Sequence, residues 1–189
     1  MKIDGNEVRP GHVIDHNNRL WRVMRTKHVQ PGKGGAYMQV ELRDIRDNTK
    51  LNDRLRADQS VERVRLEQRA YQFLYTDGEM YTFMDLETFD QVTVGPAVFA
   101  EGQTDFLQEG MQVTLEFYED EPLNVQLPET VTLEITFAEP VVKGQTATAS
   151  YKPATLDNGV RTMVPPHIET GQRVVIATED GSYVERARD

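Results

Sequence analysis

The sequence predicts an all-β protein built from three small β-barrels. Three observations point there. Short apolar runs alternate with polar residues at period two along most of the chain. Turn-forming pairs separate them: Asn17-Asn18, Asp47-Asn48, Asp77-Gly78, Asn158-Gly159 and Asp180-Gly181. Only 38% of the 189 residues are hydrophobic, which suits several thin barrels better than one deep core.

Residues 1–64 form the first block. Val13-Ile14 lead into Asn17-Asn18, and Leu20, Trp21, Val23 and Met24 follow in a β-rich run. A loop at Gln30–Ala36 carries one proline and three glycines, and the chain returns through Met38, Val40 and Leu42 at period two. Asp47-Asn48 turns the chain before Leu51 and Leu55. Strand spacing predicts about five strands here. Residues 58–65 read as a polar connection. The second block, 65–127, opens with the alternating aromatics Tyr71, Phe73 and Tyr75, turns at Asp77-Gly78 and returns through Tyr81 and Phe83. Residues 95–109 alternate weakly, and a short helix is expected among them. Val113, Leu115 and Phe117 resume the strand pattern, and Val125 and Leu127 close it after the turn at Asp120-Glu121-Pro122. Leu127-Pro128-Glu129 marks the next boundary, since proline ends a ladder. In the third block, 128–189, Val131, Leu133, Ile135 and Phe137 alternate, and strands are expected at Val174–Ile176 and Tyr183-Val184. The second and third blocks read as OB-type barrels.

The net charge of −10 is unevenly spread. The first block holds 13 Lys/Arg and 9 Asp/Glu, a net of +4; the second holds 2 and 13, a net of −11; the third holds 6 and 9, a net of −3. Repulsion from phosphate therefore falls on the middle block, while the first can lie against RNA. There are no cysteines, so neither a disulfide scaffold nor a zinc–thiolate site is available. The first ten residues are charged and carry no apolar run, so no signal peptide is expected. No apolar stretch approaches the ~18 residues of a membrane helix. A cytoplasmic protein with no membrane partner is the expectation.

No catalytic constellation is found. His12 and His16 lie four apart, but on a strand pattern and without the glutamate of a His-Glu-x-x-His zinc site; no metal ligand set is expected. No Gly-x-Ser-x-Gly elbow exists. Gly32-Lys33-Gly34-Gly35 resembles a phosphate loop only superficially. The residue after Lys33 is glycine and brings no hydroxyl for Mg²⁺, and strand patterns flank the loop on both sides.

That loop is the most informative feature. Pro31 stiffens its start, and Gly32, Gly34 and Gly35 strip side chains from both sides of Lys33. One long cation is left on a thin backbone, a shape able to enter a narrow crevice. An ordinary hairpin loop with an incidental lysine is the other reading of the same residues.

Together the motifs resemble bacterial translation elongation factor P. The resemblance rests on Pro31-Gly32-Lys33-Gly34-Gly35-Ala36, on Val61-Glu62-Arg63-Val64 with the aromatic hairpin after it, and on Lys152-Pro153-Ala154-Thr155-Leu156, Gly159, Val164-Pro165-Pro166 and Gly171. It spans essentially the whole chain. It implies three barrels in an L-shaped, tRNA-like arrangement: an SH3-like (KOW-like) N-terminal barrel over 1–64 and OB-type barrels over 65–127 and 128–189. It implies a monomer that binds the 70S ribosome between the P and E sites, touching ribosomal RNA and the P-site peptidyl-tRNA. There it promotes peptide-bond formation at consecutive prolines, with Lys33 near the tRNA acceptor end. In many members this lysine carries a β-lysyl group added by a lysyltransferase related to lysyl-tRNA synthetase; no other cofactor is implied. Arg25, Lys27 and Arg43 are expected to add phosphate contacts. The loop with Gly144, Gln145 and Thr146 matches the one facing the small subunit and the E-site codon, although glutamine stands where the family commonly has aspartate. His167 stands where many members have an aromatic residue.

Three competing readings differ in what they require. The family's diverged paralogue, the elongation factor P-like protein, often has arginine or another residue at the loop tip, which Lys33 argues against. A general RNA-binding OB protein needs a continuous basic groove, which the −11 block interrupts. A small enzyme needs a convergent polar pocket, for which the sequence supplies no motif.

Overall fold

The computed structural model describes residues 1–141 and 150–188. The described residues are almost entirely β, arranged in three sheets. The first sheet comprises β1 (Lys2–Asp4), β2 (Val13–His16), β3 (Arg19–Val29), β4 (Tyr37–Asp44), β5 (Lys50–Arg56) and β6 (Ser60–Val64), in the order β1-β6-β2-β3-β4-β5. The second comprises β7 (Glu67–Thr76), β8 (Tyr81–Asp85), β9 (Gln91–Val94), β10 (Gln112–Tyr118) and β11 (Glu121–Gln126), in the order β11-β10-β7-β8-β9. The third comprises β12 (Thr130–Ala138), β13 (Lys152–Leu156), β14 (Arg161–Val164), β15 (Arg173–Ala177) and β16 (Tyr183–Arg186), in the order β14-β13-β12-β15-β16.

The first sheet curls around Val8, Ile14, Trp21, Val23, Val40 and Leu55, all nearly inaccessible to solvent. Each such side chain contributes about 1.5–3 kcal/mol by burial. Alternation along β5 leaves Arg54 outside, next to the inward Leu55. A bulge between Val23 and Arg25 interrupts the β3–β4 register and reverses the alternation beyond Val23, so that Arg25 and Lys27 face outward. Gly5 lies so close to β5 that a Cβ there would collide with the Arg56 carbonyl oxygen.

Residues 58–65 are not a polar connection. Ser60–Val64 is a strand, paired with β1 through Ile3↔Val61 and with β2 through Val13↔Val64. Charged outward residues hide its period, and Val61 alone reaches the core. With β1, also unread in the sequence, the sheet has six strands where about five were expected.

The expected short helix in 95–109 proves to be two 3-10 turns, Pro96–Val98 and Gln103–Phe106. The second carries Phe106 into the core of the third sheet, beside Val131, Ile135, Ile168 and Val174. The Asn158 side-chain amide donates to the Asp105 carbonyl at 2.9 Å and holds this turn in place.

The chain divides into two compact units. One contains Met1–Arg69, Val94–Val98 and Thr114–Val125; the other contains Ala70–Thr93, Phe99–Val113 and Gln126–Asp189. Within the first unit the buried Glu116 of β10 accepts from Arg22 of β3 at 3.0 Å and from Asn124 at 2.8 Å.

Candidate nucleic-acid interface

The β3–β4 hairpin carries the lysine loop at its tip. Its last register pairs are Lys27↔Gln39, His28↔Met38 and Val29↔Tyr37. Ala57 donates its N–H to the Ala36 carbonyl at 3.0 Å, so the loop's far end is tied to the turn after β5. Between these anchors Gly32, Lys33, Gly34 and Gly35 are exposed. A Cβ added at any of the three glycines would meet nothing within 4 Å. Gly34 alone of the three has positive φ, +104°, a conformation that side chains disfavour. Among the described residues Lys33 makes no hydrogen bond or ion pair.

Antiparallel register sets the surface behind the loop. Reading across β3, β4 and β5 gives the rows Arg22–Arg43–Lys50, Arg25–Glu41–Asn52, Lys27–Gln39–Arg54 and Val29–Tyr37–Arg56. Arg25 and Lys27, singled out in the sequence, line a groove of about 720 Å³ together with Arg54, Gln39 and Asn52. Arg43 lines the adjoining recess with Lys50 and Arg25; its Nε is buried without a hydrogen-bond partner. Arg25 meets Glu41 only loosely, at 3.8 Å with both side chains largely exposed, so little of its charge is neutralised. A further recess of about 530 Å³ lies at the base of the lysine loop, between Gly35, Tyr37, Arg54 and Arg56. The Arg54 guanidinium sits 5.1 Å from the centre of the Tyr37 ring, a cation–π contact, and borders both hollows.

The structure thus gathers Lys33, Arg25, Lys27 and Arg43 on the β3–β4 hairpin. Sequence reasoning missed Tyr37, Lys50, Arg54 and Arg56. The signal for them was the cross-strand register, which placed Arg54 opposite Lys27 through Gln39. Gly144, Gln145 and Thr146 lie outside the described residues. The exposed His167 forms a turn with Pro166 just after β14.

Two of the four histidines, His16 and His12, have structural partners. His16 Nε2 lies 2.7 Å from Asp53 Oδ2, and this contact, with the Arg54 N–H, holds the Asp53 carboxyl below its ordinary range. His12 Nδ1 accepts from the Arg9 N–H at 3.2 Å. Burial, followed by Arg63 and Arg9, holds its pKa below the usual 6.5. Among the described residues no group of His, Cys, Asp and Glu is placed to hold a metal ion, and no helix is long and apolar enough to cross a membrane.

Three family profiles match in succession: the elongation factor P KOW-like domain over residues 4–61, the elongation factor P OB domain over 66–125 and the elongation factor P C-terminal domain over 131–186. Elongation factor P of Brucella canis and that of Brucella abortus are each 54% identical over 187 residues, covering 99% of this chain and 100% of theirs. Among solved structures, eukaryotic translation initiation factor 5A from Methanococcus jannaschii superposes with a TM-score of 0.54 at 21% identity, covering 68% of this chain and 92% of its own. An initiation factor 5A family protein from Naegleria fowleri gives 0.50 at 14%, covering 67% and 98%. At these identities the two structures speak for the fold alone. The chain belongs to the elongation factor P family and is a translation elongation factor, not an enzyme.

Proposed function

We propose that this elongation factor binds the 70S ribosome between the P and E sites and promotes peptide-bond formation at consecutive prolines, with Lys33 beside the acceptor end of the P-site peptidyl-tRNA. One observation carries the reading: Lys33 stands alone at a hairpin tip, flanked by glycines with open space around them and backed by a cationic groove.

The physical logic is positional. Proline has a fixed φ and is a poorly placed secondary-amine nucleophile. A stalled peptidyl-tRNA needs orientation more than a new acid or base, and holding its end in a reactive geometry removes an entropic share of the barrier. The ammonium of Lys33 supplies charge next to the tRNA backbone without moving a proton. Arg25, Lys27, Arg43 and Arg54 supply phosphate contacts that set the hairpin's register on RNA. The ribosome remains the catalyst. Lys33 is also the proposed site for a β-lysyl group, joined through an amide at Nζ by a lysyltransferase related to lysyl-tRNA synthetase. The open space around the loop leaves room for that enzyme. The same reading takes a cytoplasmic monomer as the working form.

Reconstituted translation of a message with three consecutive prolines tests the reading. Lys33→Ala is expected to abolish the gain in full-length product while leaving the melting temperature within about 2 °C, since an exposed loop position changes stability by less than about 0.5 kcal/mol. Full rescue by Lys33→Ala would refute the role given to this side chain. Peptide mass mapping of the loop from the native host reports the modification directly.

A further inference from the structure

The turn Asp157-Asn158-Gly159, between β13 and β14, holds a reactive pair that neither the barrel core nor the lysine loop uses. Of the seven asparagines in the chain, Asn158 alone precedes a glycine. Glycine has no Cβ to screen its backbone nitrogen and leaves the chain free to bend. An Asn-Gly pair is therefore well suited to attack by that nitrogen on the asparagine side-chain carbon. Water has access, since Asn158 is half-buried and Gly159 exposed. In the folded conformation, however, both reacting groups are engaged elsewhere. The Gly159 N–H donates to the Leu156 carbonyl at 2.9 Å. Asn158 Nδ2 donates to the Asp105 carbonyl at 2.9 Å, and its Oδ1 accepts from the Val160 N–H at 3.1 Å. The partner of Nδ2 belongs to the turn that delivers Phe106 to the core of the third sheet. The Phe106 ring reaches Gly181, where an added Cβ would stand 3.2 Å from its Cζ. A second tie from this segment, Gln108 Nε2 to the Thr132 carbonyl, is longer at 3.5 Å.

We infer that Asn158 is a site of spontaneous deamidation, gated by the docking of the Gln103–Phe106 turn, and that the conversion removes this tie permanently. When the turn lifts, the Asn158 amide is released from Asp105. The deprotonated Gly159 nitrogen forms a bond to Asn158 Cγ, the Cγ–Nδ2 bond breaks, and Nδ2 leaves as ammonia after taking a proton from water. Water then adds to either carbonyl of the cyclic imide and opens it, leaving aspartate or isoaspartate at position 158. No electrons change hands, and water is the only co-reactant. Neither product restores the tie. An ionised aspartate has acceptors only, so it would meet the Asp105 carbonyl with lone pairs, beside the carboxylate of Asp157. An isoaspartate adds a main-chain carbon to a turn closed by the Leu156 N–H on the Val160 carbonyl at 2.9 Å, and so disturbs the register that pairs Thr155 with Arg161. Opening of the turn is reversible and the chemistry is not. Copies of the protein therefore accumulate, with age, a third sheet whose Phe106 turn is no longer tied down.

The test incubates the full chain at mildly alkaline pH, native and unfolded in urea. Conversion at position 158 is followed by peptide mass mapping, with chromatographic separation of the aspartyl and isoaspartyl peptides. The native protein is expected to convert measurably, but at least about tenfold more slowly than the unfolded chain, because only the open fraction reacts. Phe106→Leu loosens the docking of the turn and should speed native conversion roughly five- to tenfold. Urea below the unfolding transition should do the same to the wild type, a measurement that stands even where the variant fails to fold. Asn158→Asp builds the aspartyl product directly and should lower the midpoint of thermal unfolding by about 4–8 °C. Equal rates in the native and unfolded chains, or no conversion in the native one, would overturn the gated site. So would a native rate indifferent to both Phe106→Leu and urea, or an unchanged midpoint for Asn158→Asp.

Discussion

Replacing Gly34 with alanine should separate the shape of the lysine loop from its charge. Gly34 sits at φ +104°, and a Cβ there would meet no atom within 4 Å. Gly34→Ala therefore brings no clash, only backbone strain of about 1–3 kcal/mol for an L residue in this region. The loop can relieve that strain by rearranging, because Lys33 and its glycines are exposed and place nothing in the core. The cost falls on the population of the loop conformer and not on the barrel. A penalty of about 1–3 kcal/mol lowers that population roughly five- to 150-fold, and apparent activity falls by the same factor. The assay is the concentration of factor needed for half-maximal synthesis through three prolines, read beside a thermal melt. Gly34→Ala should shift the first by roughly five- to 150-fold and the second hardly at all. Gly35→Ala, with equally open space and no positive φ, should change neither. Equal activity for Gly34→Ala and wild type would refute the claim that this loop conformation is the working one.

Three further expectations address the rest of the first unit. Arg22→Ala removes a charged donor from the buried Glu116. Asn124 remains on Glu116, so the cost should be about 2 kcal/mol, below the ~3–5 kcal/mol of stripping a buried pair, and the midpoint of thermal unfolding should drop by about 4–8 °C; an unchanged midpoint would show the ion pair to be idle. Lys27→Gln and Arg54→Gln should each reduce the slope of log affinity for 70S ribosomes against log salt by about one, and unchanged slopes in both would remove the groove from the RNA interface. His12 has its pKa held below 6.5 by burial, Arg63 and Arg9. The unfolded chain therefore binds the extra proton first, and stability falls as pH drops from 6.5 through the lower folded value. Denaturant unfolding between pH 7 and pH 5 should show this loss, and His12→Gln should flatten it; an equally steep profile in the variant would assign the loss elsewhere.

Much of the fold was legible because alternation and turn chemistry are local. The Asp77-Gly78 hairpin, the period-two run Met38, Val40, Leu42 and the strand around Val174–Ile176 all stand where the pattern placed them. The misses are non-local. β6 hides because Glu62 and Arg63 mask the single inward Val61, and it becomes a strand only by pairing with β1 and β2. The loop around Lys33 could be read from its glycines. The cationic rows behind it could not, because Arg54 joins Lys27 only through the register of three strands. The exposure of Phe137 was equally hidden. The run Val131, Leu133, Ile135, Phe137 reads as one inward face, and the bulge after Ile135 reverses the last side chain.

The placement of Phe106 limits how this chain can be recombined with its relatives. A crossover at Leu127-Pro128, where the sequence itself marks a boundary, would transplant the third sheet without the aromatic ring that fills its core. The recipient would have to supply a side chain of matching volume from a segment some twenty-five residues upstream, or bear the few kcal/mol of an unfilled cavity. The heritable module is therefore the third sheet plus the turn Gln103–Phe106, and chimaeras joined on the N-terminal side of that turn should fold more readily than those joined at the proline.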